Sequence, residues 1–482
     1  MTKMKLTYVK IYCVFAFCVA AAAMTLTGCK KFVDVNAPVT STNSGNAFTS
    51  DATAAAVLTG VYTKISSSGF THGGLPSLSL FPSLSSDELE LMSGSANMDL
   101  IAYYRNALSS SNTMSTDFWS NIYPVIYMVN AAMDGLSGAN SLTPAVRSQL
   151  MGEAKFIRAF CYFYLVNLYG DVPLVKGIDY TVNAGLPRTA KADVWNQVIS
   201  DLKEAKSLLA DNYVSSNAVN VTTERTRPNR WAAAALLART YLYNGDWENA
   251  EKEADSVINH TVEFELIDDL DAVFLANSRE AIWQLQPVNT GQNTQDAITF
   301  VLTSGPNNNL NPVFLSPFLF NAFKENDLRF SHWIGVDSST GKKYYFPYKY
   351  KQAVFGQPVT EYLMVLRIAE QYLVRAEARV QQGEISGAAS DLNAIRLRAG
   401  LSQTSATTRE TLLTAIQNER QVELFTEWGH RWLDLKRTGM VNDVMTVVTP
   451  LKNGTWKPAW QWYPIQIEEL QNDPALKQNE GY

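Results

Sequence analysis

The chain has 482 residues, 46% hydrophobic, 11% aromatic and 18% charged, enough apolar material for one large core or two to three ordinary ones. Lys and Arg number 40 against 46 Asp and Glu, a formal charge of −6, so there is no basic surplus for general nucleic-acid binding. The hydrophobic content also excludes wholesale disorder. At the N-terminus, Lys3, Lys5 and Lys10 precede or enter an apolar run at residues 11–23. As a helix that run spans about 20 Å, too short for a hydrocarbon core of about 30 Å, and a basic head with a short apolar run reads as a secretory leader.

The next residues, Leu26-Thr27-Gly28-Cys29, resemble the lipobox of bacterial lipoproteins. That resemblance implies cleavage before Cys29, which takes a diacylglycerol and becomes residue one. Several acyl chains, each CH₂ contributing about 0.8 kcal/mol on burial, anchor a protein stably where one chain does not. Cys13 and Cys18 leave with the leader and Cys29 is acylated, so Cys161 is the one thiol remaining and no intramolecular disulfide is expected. Loss of the three leader lysines lowers Lys plus Arg from 40 to 37 and the charge to −9. Lys30 follows Cys29, where some bacteria place an acidic residue for inner-membrane retention, so an outer-membrane, lipid-anchored location facing the cell exterior is expected. Residues 35–51 are rich in Ser, Thr, Asn, Gly and Ala and read as a tether. The expected organisation is a leader at 1–28, a lipidated N-terminus and tether at 29–50, and one helical domain at 51–482, with an N-terminal part of about 51–215 and a C-terminal part of about 216–482.

In the body, helical periodicity dominates. Thr143-Pro144 pairs a hydroxyl cap with proline at a first turn, and Val146, Leu150, Ile157, Phe160, Cys161, Tyr164, Leu165 and Leu168 then fall on one broad face until Gly170 and Pro173. Residues 192–209 repeat the pattern with Val194, Val198, Leu202, Ala205 and Leu209. Thr407-Thr408-Arg409-Glu410 suggests a capping box opening a helix through Phe425. An internal repeat aligns WAAAALLARTYLYNGDWENAEKEADSVI from Trp231 with AEQYLVRAEARVQQGEISGAASDLNAIR from Ala369. Ala238 meets Ala376, Gly245 meets Gly383, Ala250 meets Ala388 and Val257 meets Ile395. Small residues let two antiparallel helices approach, and the glycine permits a left-handed turn between them. This resembles the tetratricopeptide helix pair, but the two pairs are not contiguous in the chain, which excludes a plain solenoid. Irregular stretches at 66–115, 287–311 and 331–360 separate the helices, and short β patterns occur at 262–267, 281–286 and 344–350. The expected fold class is mainly α, with tetratricopeptide-like helix pairs as a scaffold, long irregular loops and minor short strands.

Four separated motifs point to a family. GEAKFIRAFCYFYLVNLYGDVPL, RPNRWAAAALLARTYLYNGDWENAEKEADSVI, ERQVELFTEWGHRWLDLKRTG and YPIQIEELQNDPALKQNEGY, with the lipobox and tether, resemble the SusD/RagB family of outer-membrane nutrient-binding lipoproteins over essentially the whole mature chain. The resemblance implies four tetratricopeptide-like helix pairs with loops building a ligand site on one face. It also implies a partner, a SusC-like TonB-dependent outer-membrane β-barrel transporter that receives a captured oligosaccharide. Under it the chain is no enzyme and needs no cofactor. The alternatives kept open are a peptide or other nutrient ligand on the same fold, a glycoside hydrolase with two facing carboxyl groups, and a purely structural scaffold.

Motifs for catalysis or metal binding are absent: there is no HExxH, CxxC or GxSxG, and His72, His260, His332 and His430 are scattered. Glu423, Glu427, His430, Arg431 and Asp434 read as structural, with Glu427 and Arg431 an i,i+4 pair if the helix runs through Gly429. Asp268, Asp269 and Asp271 lack an EF-hand pattern and read as a solvated turn. Glycan binding needs flat rings against sugar C–H faces and polar groups around the rim. Two loop segments combine these types: Asp87, Asn97, Asp99, Tyr103, Tyr104 and Arg105 in the first, with Glu88 beside them, and Trp333, Tyr344 and Tyr345 in the second, with His332 and Phe346. Trp119, Tyr123, Trp231, Trp247 and Trp283 sit in periodic segments and read as scaffold.

Overall fold

The structure, a computed structural model, describes residues 47–67, 70–71, 73–111, 118–307 and 310–482. The leader, Cys29, the tether up to residue 46 and His72 lie outside the described residues. In chain order the N-terminal elements are α1 (Asp51–Ser67), α2 (Phe81–Ser85), β1 (Leu89–Leu91), α3 (Met98–Tyr104), α4 (Phe118–Ser137), α5 (Pro144–Tyr169), α6 (Tyr180–Asn183), α7 (Lys191–Leu208), α8 (Arg230–Asn244) and α9 (Trp247–Ile258). There follow β2 (Ala281–Leu285), α10 (Gln295–Phe300), β3 (Val313–Leu315), α11 (Pro317–Ala322), α12 (Leu328–Trp333), β4 (Ile334–Asp337), β5 (Tyr344–Pro347) and β6 (Leu363–Arg367). The chain closes with α13 (Ile368–Gln382), α14 (Ile385–Arg398), α15 (Arg409–Glu423), α16 (His430–Arg437), α17 (Val441–Leu451) and α18 (Ile467–Asn472). The fold is mainly α with short strands.

The scaffold is a run of long helices, each packed on the next in the order α4, α5, α7, α8, α9, α13, α14. The repeat seen in the sequence forms two helical hairpins, α8–α9 and α13–α14. Gly245 and Gly383 turn them in the left-handed region at φ 78° and 88°. Ala238, Ala250, Ala376 and Ala388 are fully buried where the helices meet. Although residues 259–367 separate the hairpins in the chain, they stack side by side in space. Arg375 reaches Asp255 (2.7 Å) and Arg379 reaches Glu251 (2.8 Å) across that contact.

Helix α5 is the centre of the core. Pro144 takes its first turn, and Gly170 ends it at φ 77°. Thr143 donates its hydroxyl to Asp51 rather than capping the helix, which ties the start of α5 to that of α1. Every residue from Phe156 to Tyr169 is buried, so this stretch is enclosed on all sides where the periodicity had indicated one face. The Phe160 ring meets Trp283 (5.3 Å), Tyr164 (5.1 Å) and Trp428 (5.6 Å) edge-on. Cys161 is a buried free thiol, and burial pushes its pKa up. Trp119 and Trp283 are core residues, while Trp231 and Trp247 are half-buried on the scaffold.

Three antiparallel strand pairs occur among the described residues: β1–β3, β2–β6 and β4–β5. Residues 262–267 are not a strand, against the sequence expectation. Their backbone bonds back to His260 and across to Arg279, no partner strand is alongside, and Val262 is exposed. The third motif is not one continuous helix, so the condition for a Glu427–Arg431 helix-face pair is not met. Helix α15 stops at Glu423, Thr426, Trp428 and Gly429 adopt positive φ, and α16 starts afresh at His430. Gly429 is required there: a Cβ at φ 71° would come within 2.8 Å of Pro82. The capping box is shifted by one residue, with Thr408 and Thr411 bonding reciprocally.

Candidate functional site

The break at Gly429 turns Glu427 and Arg431 to different partners, so the expected i,i+4 pair does not form. Glu427 bonds Arg367 (2.8 Å) and Lys349, while Arg431 holds Asp87 through two 2.7 Å bonds. Glu423 is fully buried among Arg367, Arg329 and Arg398. Burial alone would raise its pKa, but the three guanidiniums hold the carboxyl well below the usual carboxylate range. Asp434 is likewise committed to Arg420 and Arg437. His430 is buried with its pKa pushed well down by burial and by the surrounding arginines. These groups form a buried ionic frame that welds the third motif to β6, α12 and α14. Asp271 pairs with Lys351 and His332 at the surface. Among the described residues no cluster of three or more His, Cys, Asp or Glu has the geometry to hold a metal ion.

The sequence-predicted binding residues divide sharply. Asp87 is buried in its pair with Arg431, and Tyr103 is buried with its ring stacked on Phe81 at 4.0 Å. Trp333 is fully buried, its indole N–H donating to the Leu270 carbonyl (2.9 Å). These three are packing residues: their faces and charges are already covered by protein. Asn97 caps α3 by accepting from the Asp99 and Leu100 amides, and Asp99 sits in that first turn. Tyr345 packs against Phe320 at 4.6 Å on the opposite side of β5 from Tyr344, as strand alternation demands.

Tyr104, Arg105 and Tyr344 do come together, from both predicted segments, in an open cleft of about 500 Å³. The β1–β3 register builds its floor by setting Glu90 opposite Phe314. Leu89, Leu91, Val313 and Leu315 alternate inward and are buried, leaving Glu90 and Phe314 on the cleft side. The Phe314 and Tyr344 rings meet edge to face at 5.0 Å, with the Lys342 ammonium 4.9 Å from the Tyr344 ring. The β4–β5 hairpin holds Tyr344 in place, and Gly335 is needed in it: a Cβ there would lie 2.3 Å from the Phe346 ring. Tyr104 donates its hydroxyl to Glu90, and burial together with this bond raises the phenol pKa. Behind it, buried Lys452 donates to the carbonyls of Leu84 (2.7 Å) and Ser86, and burial lowers its pKa to about 8. The loop Met92–Ser95 and Asn453 complete the rim.

Phe314, Glu90, Lys342 and Lys452 were missed by the sequence reading. Phe314 lies in the apolar run Val313-Phe314-Leu315, whose alternation is visible only once its partner strand is known. Lys342, next to the aromatic pair, was the available signal. A second cleft, about 700 Å³, opens beside α8–α9, α13 and α15–α17 and is lined by Tyr243, Trp247, Leu413 and Met440. Its charged groups Glu377 and Arg437 satisfy each other at 2.6 Å, and it is built from scaffold helices rather than loops. The loop-built cleft therefore combines half-buried rings with polar groups that still have bonding capacity.

A family model described as starch-binding and associating with outer membrane matches residues 31–242, and another described as SusD family matches residues 342–482. The SusD-like protein P25 of Formosa agariphila is 28% identical over 432 residues, covering 76% of this chain and 80% of the relative. A SusD superfamily protein from Bacteroides vulgatus superposes with a TM-score of 0.79 at 21% identity, covering 90% of this chain and all of that one. A laminarin-binding SusD-like protein superposes with a TM-score of 0.74 at 24% identity, covering 89% of this chain and 99% of that one. The last two likenesses establish the fold. No helix among the described residues is long and apolar enough to cross a membrane.

Proposed function

This chain belongs to the SusD/RagB family, and from that membership we propose that it captures an oligosaccharide in the Tyr104–Phe314–Tyr344 cleft and passes it to a TonB-dependent outer-membrane barrel. The observation that carries the reading is the convergence of two loop insertions, far apart in sequence, on one open cleft of about 500 Å³ with aromatic rings and unshared polar groups. A sugar stacks its C–H face on a ring edge or face while its hydroxyls bond the rim. Nearby Asn453, Arg105 and Glu90 supply both donors and acceptors. The β1–β3 and β4–β5 pairings hold Glu90, Phe314 and Tyr344 in place, which favours binding without a large ordering cost. The likeness to a laminarin-binding protein of the same fold supports a glycan ligand. The chain acts by binding and release, and an acyl group on Cys29 holds it at the outer membrane. The alternatives of a peptide ligand and of a hydrolase gain no specific support from the cleft.

The test is calorimetric titration with a panel of oligosaccharides, using the mature protein and the Phe314→Ala/Tyr344→Ala variant. Micromolar or weaker binding is expected for at least one glycan, falling at least about tenfold in the variant, since a stacked ring contributes about 0.5–1.5 kcal/mol beyond its buried area. Equal affinity in variant and parent would remove this cleft from the function, and release of shorter products from the panel would establish the hydrolase instead.

A further inference from the structure

Resting on the reading of this cleft as the glycan site, we infer that its ligand is an anionic glycan, one whose sugars carry carboxylate or sulfate groups. The ionisable groups around the cleft are Glu90, Tyr104, Arg105, Lys342, Tyr344 and Lys452, which makes three cations against one carboxylate. One oxygen of that carboxylate already accepts the Tyr104 hydroxyl. The imbalance stands out on a chain with 46 acidic and 40 basic residues.

The three cations differ in what already satisfies them. Lys452 is buried at the back, its ammonium directed to the Leu84 and Ser86 carbonyls and lying 5.0 Å from the Tyr104 ring. Carbonyl dipoles, a ring face and the nearby charges of Asp87, Glu90 and Glu88 stabilise its charge, with no carboxylate in direct contact among the described residues, so the cations left for a ligand are Arg105 and Lys342. Arg105, the C-cap of α3, is exposed at the rim and forms no ion pair among the described residues. Lys342 is also exposed and without an ion pair, and its ammonium lies over both Tyr344 (4.9 Å) and Phe314 (5.9 Å).

Placement turns this charge into a selection. The Lys342 ammonium sits at the rings on which a sugar would stack, so an acidic substituent on the stacked residue meets a cation directly. Arg105 offers a planar fork that matches a carboxylate or sulfate on a neighbouring sugar. A neutral glycan uses the rings equally well but gains nothing from the charge of either cation. Arg375 with Asp391 and Lys206 with Glu253 are paired within the protein, whereas Arg105 and Lys342 converge on one cleft with no such partner among the described residues. Here the complementary anion is left for the ligand to supply.

The experiment titrates the full mature chain with three probes of matched length: an oligogalacturonide for carboxylate, a sulfated galactan oligosaccharide for sulfate, and a laminari-oligosaccharide as the neutral control. At least one acidic probe is expected to bind about tenfold or more tighter than the neutral one, with affinity falling as NaCl rises from 50 to 500 mM. In Arg105→Gln/Lys342→Gln the preference should vanish, the acidic probes falling to the affinity of the neutral probe in the same variant, and the better of the two acidic probes on the parent identifies the anionic group. If the neutral probe binds as tightly as both acidic ones and the double variant changes nothing, the inference fails while the glycan reading stands, provided Phe314→Ala/Tyr344→Ala still abolishes binding. If no glycan binds, or an acidic peptide binds in their place, the glycan reading itself fails and this inference with it.

Discussion

Replacing Arg367 by Met tests whether the buried ionic frame holds the third motif in place. Arg367 is almost fully buried and bonds Glu423 (2.6 Å), Glu427 (2.8 Å), Glu280 (3.0 Å) and the Glu423 carbonyl (2.7 Å). Methionine keeps most of the apolar stem but removes every one of these donors. Glu423 then retains Arg329 and Arg398, Glu280 retains Arg398, and Glu427 retains Lys349. Stranding charge in a buried pair costs about 3–5 kcal/mol, and the surviving partners place this case near 3. At roughly 2.1 cal/mol/K of unfolding entropy per residue, a unit of this size has an entropy of about 0.9 kcal/mol/K, so Tm should fall by about 3–4 °C. The pH dependence gives a sharper check. Burial tends to raise the Glu427 carboxyl, but Arg367 and Lys349 hold it below its ordinary value. Its contribution is therefore present above the unfolded carboxylate range and is lost as pH falls below about 4. The variant lacks much of that contribution, so its deficit should be full from pH 7 to about 4.5 and shrink as pH falls from there to about 2. Scanning calorimetry across that range decides the matter. A fall in Tm under about 1 °C, or a deficit independent of pH, would refute the idea that Arg367 compensates these carboxylates.

Three other outcomes are expected. Burial pushes the Glu88 carboxyl up to about 7, so its contribution is greatest below the unfolded value and is lost as pH rises toward 7; Glu88→Gln should gain on the parent between pH 4.5 and 7.5 by up to about 3 kcal/mol, and a constant difference in denaturant midpoint across that range would count against it. Gly383→Ala meets no atom within 4 Å yet must hold φ 88°, so it should cost about 1–2 kcal/mol through the backbone alone; unchanged stability to urea would show that the hairpin can turn another way. Cys29→Ala should move the protein from the membrane fraction to the soluble fraction and abolish labelling by radioactive palmitate, and retention at the membrane would exclude acylation as the anchor.

The scaffold was legible because it rests on local periodicity. Hydrophobic spacing marked α5 and α7, and the alanines and glycine of the repeat marked both hairpins, since a left-handed turn and a close helix approach each demand particular residue types. The family motifs extended that reading to the whole chain. The β pattern at 262–267 misled because alternation signals a strand only where a partner strand exists, and here the backbone turns back on His260 instead. Around Gly429 spacing left a continuing helix open, but the chain leaves the helix after Glu423 and takes positive φ at Thr426, Trp428 and Gly429.

Composition, spacing and motif order alone determined that this is a mainly helical, family-recognisable chain with loops rich in rings and polar groups. Which of those rings face outward was decided by tertiary structure. Tyr103 and Tyr104 are neighbours on one short helix, yet one stacks on Phe81 in the core and the other borders the cleft; Tyr344 and Tyr345, both half-buried, turn to different partners, Phe314 in the cleft and Phe320 away from it. Adjacent side chains in helices and strands point in different directions, and only long-range pairing, such as Glu90 opposite Phe314, fixes which direction meets solvent.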